Sequence, residues 1–341
     1  MAFAHGNDPS VPPSQSKAAL MSAVVKAGLY DPHLIEGEHL VQVAEKALLQ
    51  STLFSAAVKV EDAMESYRRA AEEFRLSSLW EEAGDCYRRI AELEKTINNA
   101  HGAAIAYLQG GEMYERMNKE EAISFFENAV ACFAQLGHFG QAAKYQEHIG
   151  KVQEEMREFS AAIKSFQLAA DYNIAAGEHI LADRCLEYVA ENCAILDRYV
   201  RAAETFEALG LRALQWNMRR FNAKTYFLHA GLCALAHRDA LHSKKIRRRH
   251  KRVDFMFAST AECKFLEDIT KNYIDKDLNA FMDHVYNFNN VFQCTVWELT
   301  ILERIKNQIS AEYWEQRRRE EAEKAEQERK IKERLNRRRK R

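Results

Sequence analysis

Proline is nearly absent from this chain. Its four prolines are Pro9, Pro12, Pro13 and Pro32. Proline breaks helices because its ring fixes φ and it has no backbone N–H, so after residue 32 no proline can interrupt a helix. Alternating runs of Val, Ile and Thr bounded by Gly or Asn, which are typical of strands, are missing as well. Together these absences predict an all-α fold for about nine-tenths of the 341 residues.

Paired cysteines and long apolar runs are also missing. The seven cysteines are scattered and form no CxxC motif, which disfavours a disulfide framework and a zinc site. No segment approaches the ~18 apolar residues of a membrane-spanning helix, and the N-terminus has no basic stretch followed by an apolar one. We therefore expect a cytoplasmic protein with buried thiols.

Motifs that carry enzyme chemistry are not found. The sequence contains no GxxxxGK[ST] phosphate loop, no GxGxxG after a strand, no HExxH and no GxSxG. His237 and His242 are five residues apart, a poor spacing for two metal ligands on one helix. We expect a protein that is not an enzyme and needs no cofactor or metal.

A period of about 20 residues runs through most of the chain. Small residues recur at steps of 19 to 21 residues, and a large residue stands four positions after most of them. The small residues, called here the repeating alanines, are Ala63, Ala83, Ala103, Ala122, Ala142, Ala162, Ala182, Ala202 and Ala223. The large residues are Tyr67, Tyr87, Tyr107, Phe126, Phe166, Leu186, Phe206 and Phe227.

This period predicts helical hairpins. A small residue and a bulky one a turn later shape one helix face for packing, and 20 residues fit a helix of about 15 residues plus a turn. Two such helices make a hairpin, and stacked hairpins make a tetratricopeptide-like α-solenoid. We expect a disordered lead-in over 1–35, the solenoid over 36–235, a C-terminal helical bundle over 236–312 and a charged, basic helical or disordered tail over 313–341.

Charge is unevenly distributed, although the net charge is only −1. Residues 317–341 hold 13 Lys/Arg against 6 Glu, and the basic cluster SKKIRRRHKR (243–252) holds seven cations. A nucleic-acid-binding or nuclear scaffold therefore stays open as an alternative, although no aromatic residue stands between these cations.

Solenoids bind partners along an extended wall, so cations at repeated offsets matter more than a single motif. Arg116, Lys144, Arg184 and Arg220 follow one another at 28, 40 and 36 residues, close to one hairpin or less than one, and could line one side of the array. Ordinary surface cations are the alternative.

Several segments resemble the soluble NSF attachment proteins, alpha type. They include STLFSAAVKVEDAMESYRRAAEEFRLSSLWEEAGDCYRRIAEL (51–93), EEAISFFENAV (120–130), FSAAIKSFQLAADYN (159–173) and WELTILERIKNQI (297–309). The resemblance covers roughly residues 40 to 310. It implies a non-enzymatic adaptor that binds the four-helix SNARE bundle and recruits the hexameric ATPase N-ethylmaleimide-sensitive factor. The ATPase then disassembles the bundle in vesicle fusion and trafficking. The adaptor would be cytoplasmic and peripheral on endomembranes and vesicles.

The resemblance also implies roles for particular residues. The SNARE-facing positions fall on Arg116, Lys144, Arg184 and Arg220. The acidic contact to the ATPase falls on Glu267, Asp268, Asp275 and Asp277, although Lys271 and Ile274 stand where acids are expected. An apolar loop that dips into the membrane falls on Leu48, Leu49, Leu53 and Phe54. Burial of these apolar residues in the core, and a helical-repeat scaffold for another client, stay open as alternatives.

Overall fold

A computed structural model describes residues 31–49, 56–216 and 218–339. In these ranges the chain forms fourteen α-helices and two short 3-10 turns, with no strand. The predicted all-α fold of helical hairpins is confirmed. The chain divides into two compact units, residues 1–142 and 143–341.

The helices follow one another with short connections. The first unit holds α1 (Pro32–Leu49), α2 (Ala56–Leu76), α3 (Trp80–Thr96), α4 (Ala100–Tyr114) and α5 (Lys119–Gln135), and the division between the units falls within α6 (Phe139–Glu155). The second unit continues with α7 (Phe159–Ala175), α8 (His179–Ile195), α9 (Tyr199–Leu214), α10 (Ala223–Ala236), α11 (Ala240–Val253), α12 (Ala261–Asp275), α13 (Leu278–Phe292) and α14 (Val296–Arg339).

One turn geometry recurs between consecutive helices. Three residues usually separate two helices, and one of them has a φ between 58° and 79°, in the left-handed region. The following N–H then donates back to a carbonyl five residues earlier, as from Leu79 to Phe74 and from Arg198 to Cys193, at 2.9 and 2.8 Å. This is a Schellman closure, and it reverses the chain so that neighbouring helices pack antiparallel. The left-handed residues are Ser78, Asn98, Gly137, Arg157, Gly177, Asp197 and Arg238.

The repeating alanines are all buried, and most of the large residues four positions later are buried too. The structure adds a contact across helices. A ring from one helix lies on a glycine of the preceding helix, so that a Cβ at Gly111 would come within 2.6 Å of the Phe126 ring. The same contact pairs Gly150 with Phe166 at 2.7 Å. Only glycine fits at these points, because a side chain would push the helices apart.

The end of the second unit is a cluster of helices around a shared core. Trp297, at the start of α14, stacks on Phe206 of α9 with ring centroids 5.4 Å apart. Arg304 donates to the carbonyls of Ala194 and Ile195 at the end of α8, at 2.9 Å each. These bonds satisfy carbonyls that a helix end leaves without partners. After Ile309 the side chains of α14 are mostly exposed, and from residue 313 to residue 330 all of them are.

No helix among the described residues is long and apolar enough to cross a membrane. Six of the seven cysteines are buried, and Cys294 is partly so. The predicted domain limits remain predictions.

The ring-on-glycine contact makes Gly150→Ala destabilising. We expect a loss of about 1–3 kcal/mol in the free energy of unfolding, because the added methyl overlaps Phe166. Gly140→Ala is the matched control on the same helix, because nothing lies within 4 Å of its added Cβ. Urea unfolding followed by circular dichroism measures both, and equal stability of the two variants would contradict the packing described.

Candidate functional site

Two of the four candidate basic residues are exposed and form no ion pair with any described residue. Arg116 lies in the turn between α4 and α5, and its guanidinium carbon is 4.4 Å from the centroid of the Trp80 ring. Lys144 lies on α6, with its Nζ 5.4 Å from the centroid of the Tyr145 ring. Both cations are supported by an aromatic face and keep their charge available to a partner.

The other two are each held by a buried carboxylate. Arg184 on α8 donates to Glu147 on α6 at 2.7 Å, and Lys151 binds the second oxygen of the same carboxylate at 2.7 Å. Arg220 donates to Asp254 at 3.2 Å. Both arginine side chains remain about half exposed, at 50% and 49%, whereas both acids are 7% exposed. Each arginine is therefore fixed at one end and still faces solvent.

Glu147 stays ionised because its hydrogen bonds outweigh its burial. Burial alone would raise the pKa of this carboxyl, but the bonds from Lys151 and Arg184 hold it below its ordinary value.

Further polar contacts join residues from helices one or two positions apart along the chain. Asp183, next to Arg184, accepts from Arg219, the neighbour of Arg220, and from Arg212 at 3.0 Å. Lys224 binds Glu262 at 2.8 Å, and Tyr226 donates to Glu187 at 3.1 Å. We call this series, with Glu147–Arg184 and Arg220–Asp254, the polar ladder. Glu147, the partner of Arg184, lies three residues after Lys144 on α6, and Asp183 and Arg219, the chain neighbours of Arg184 and Arg220, are bound to each other.

The polar ladder was not predicted. Apart from Arg212 and Asp183, its paired residues are 34 to 39 residues apart, and a spacing a little under 40 residues between an acid and its partner is the signal that could have found it. Lys144 and Arg184 share one register, two residues after a repeating alanine, on helices two apart. Lys164 holds the same register on the intervening helix α7, and its side chain is exposed.

Three of the four candidate acids already have a contact. Glu267 binds Arg247 at 2.6 Å and Lys251 at 3.3 Å. Asp268 lies 3.7 Å from His284, and Asp277 caps α13 by accepting from the N–H of Ala280 at 3.0 Å. Asp275, at the end of α12, is exposed and makes no ion pair with any described residue.

The apolar candidates are described only in part. Leu48 and Leu49 end helix α1 and are 38% and 85% exposed. Leu53 and Phe54 lie outside the described residues. Leu49 is therefore not part of the core of α1, and its exposure leaves an apolar side chain available at this end of the helix.

The description "Soluble NSF attachment protein, SNAP" belongs to a family model that matches residues 35–310. The chain belongs to the soluble NSF attachment protein family. An alpha-soluble NSF attachment protein of Vitis vinifera is 32% identical over 280 residues, covering 82% of this chain and 96% of its own. The human protein of that name is 27% identical over 280 residues, with 82% and 94% covered. A probable vesicular-fusion protein, the sec17 homolog of Schizosaccharomyces pombe, is 27% identical over 258 residues, with 75% and 89% covered.

Within this attachment-protein fold, Glu147→Gln tests the anchor of Arg184. At neutral pH we expect the variant to lose about 1–3 kcal/mol of stability, because two charge-assisted bonds to a buried carboxylate are weakened. The folded-state pKa of Glu147 is lowered, so its contribution is complete above the unfolded value of about 4.3 and disappears as pH falls through the folded value.

Unfolding of the wild type and of Glu147→Gln between pH 7 and pH 3 measures this, and the gap between them should close on the acid side. The control is Glu204→Gln, since Glu204 is exposed on α9 and forms no ion pair with a described residue. A gap that is constant with pH would show that the carboxylate is not responsible.

Proposed function

We propose that this attachment protein is a non-enzymatic adaptor that binds assembled SNARE bundles and recruits and stimulates the hexameric ATPase N-ethylmaleimide-sensitive factor. The single observation that carries the proposal is the family match over residues 35–310, which spans nearly all of the described fold. In this function the chain works on vesicle and endomembrane surfaces as a peripheral protein, and ATP hydrolysis belongs to its partner.

The SNARE-binding surface in this proposal consists of Arg116, Lys144, Arg184 and Arg220. A basic surface attracts and orients an acidic helical bundle. Each exposed ion pair adds about 1 kcal/mol or less, so the residues must act as a set. The carboxylates that hold Arg184 and Arg220 support the proposal, because they reduce the side-chain entropy that binding would otherwise remove.

The ATPase-binding surface in this proposal consists of Glu267, Asp268, Asp275 and Asp277. The contact rests most on Asp275, because Arg247 and Lys251 already neutralise Glu267. The membrane contact consists of Leu48, Leu49, Leu53 and Phe54, and the exposure of Leu49 supports it. A few apolar side chains give roughly the affinity of one marginal lipid anchor, so this contact needs SNARE binding as a second one.

A pull-down with an assembled SNARE bundle and the ATPase tests the proposal. Arg116→Glu with Lys144→Glu should remove most bundle binding and with it the recruitment of the ATPase, because both cations lack an internal acid. Helicity should not change, since both side chains are exposed.

Lys164→Glu with Arg201→Glu is the matched control. It makes the same change in charge at two exposed cations that are not among the four residues of the proposed surface. Equal loss in both variants would mean that net charge matters and not this surface. A wild-type chain that fails to bridge the bundle to the ATPase would refute the adaptor function.

Membrane contact has a separate test. Changing Leu49, Leu53 and Phe54 to Ser should slow disassembly of membrane-anchored SNARE bundles and spare soluble ones, because only the first substrate offers a lipid phase. Disassembly rates on both substrates measure this. Equal slowing on both substrates would mean that these residues support the folded structure and do not contact the membrane.

A further inference from the structure

The basic cluster forms helix α11, and one side of that helix is used within the fold. Arg247 and His250 face inward, and His250 stacks on Phe227 with ring centroids 3.8 Å apart. Arg247 and Lys251 bind Glu267, and Arg249 binds Glu207. Three of the seven cations therefore hold α11 against its neighbours and are not available to a partner.

The opposite side of α11 has no such partners. Leu241, Lys245, Arg248 and Arg252 follow at steps of 4, 3 and 4 residues, which places them on one helix face over about 16 Å. We call these four residues the outward face of α11. All four are exposed, and the three cations form no ion pair with any described residue.

Apolar side chains are exposed at both ends of the outward face. Leu241 lies at its start and is 69% exposed. Just beyond its end, Val253, Phe255 and Met256 are 51%, 75% and 54% exposed. Exposed apolar side chains close to cations are typical of an interaction surface, since water solvates only the cations well.

The composition of this surface identifies its partner. Three exposed cations without internal acids favour an anionic partner, and the exposed apolar side chains at both ends favour an apolar phase beside that charge. An anionic membrane offers both, with charged headgroups above the acyl region. Nucleic acid fits less well, because no aromatic residue stands among the cations to stack on bases.

We propose that the outward face of α11, together with Phe255 and Met256, binds the headgroups and interface of an anionic membrane. This contact goes beyond the proposed adaptor function, since it requires neither a SNARE bundle nor the ATPase. It also differs in chemistry from the apolar contact at Leu49, because it depends on headgroup charge and weakens as salt rises.

Sedimentation of the full chain with vesicles tests the proposal. The vesicles are phosphatidylcholine alone or phosphatidylcholine with phosphatidylserine, and the measured quantity is the ratio of the two partition coefficients. Lys245→Gln, Arg248→Gln and Arg252→Gln together should lower this ratio by about a hundredfold, because each cation near an anionic surface contributes about a fivefold factor. Binding to phosphatidylcholine alone should not change.

The control is Lys164→Gln, Arg201→Gln and Lys264→Gln together. These cations are exposed and unpaired with described residues, and their loss changes the net charge equally without touching α11. A second variant, Phe255→Ser with Met256→Ser, keeps every charge and should lower binding to the anionic vesicles roughly tenfold. The basic tail is the same in all variants, so the change in the ratio belongs to the altered face.

An unchanged ratio in the triple variant, or an equal fall in the control, would overturn the proposal. A second contrary result is a wild-type chain whose vesicle binding does not increase with phosphatidylserine, but which retards a DNA or RNA duplex in electrophoresis at physiological salt. The triple variant would then lose this retardation. That result would assign the outward face to phosphate backbones of nucleic acid.

Discussion

The close approach of consecutive helices is the constraint on which the fold depends. A ring on one helix lies on a glycine of the preceding one, as Phe166 does on Gly150, and a single methyl at that glycine would overlap the ring. The buried repeating alanines also allow close approach, because their small side chains keep the helices near enough for the large residues to interlock. Each helix therefore sets the position of the next, and small errors would add along the array.

This constraint also positions charge. Helices held at fixed separations place Glu147 against Arg184 and Asp254 against Arg220, with the acids buried and the cations half exposed. A buried carboxylate without a partner would be costly, so each arginine is held at the end of its side chain that meets the acid. The polar ladder thus belongs to the packing and also holds two of the four candidate SNARE-facing residues in place.

The sequence indicates the helices and much less of what joins them. The 20-residue period predicts where helices pack, because buried residues recur once in every unit of one helix and one turn. It does not reveal the left-handed residues at Ser78, Asn98 and Arg157, where roughly 1–2 kcal/mol of backbone strain is accepted because the closure is held by packing. Nor does it reveal the polar ladder, since its partners meet only once hairpins have stacked. The candidate cations could be recognised from their spacing and from the family resemblance. The sequence did not show which of them are paired with an acid inside the fold.

The basic cluster shows how one composition can serve two purposes. Seven cations within ten residues of one helix repel one another unless acids neutralise part of the charge. Glu207 and Glu267 do this by binding cations of α11. Glu267 is consequently needed by the fold, because its loss would leave the buried guanidinium of Arg247 without its carboxylate. In the proposed adaptor function, an acid engaged in this way would offer little charge to the ATPase, so the proposed acidic contact rests most on Asp275, which forms no ion pair with a described residue. Of the seven cations, Glu207 and Glu267 bind only Arg247, Arg249 and Lys251, so they leave Lys245, Arg248 and Arg252 without a neutralising partner. The outward side of α11 therefore keeps an excess of positive charge.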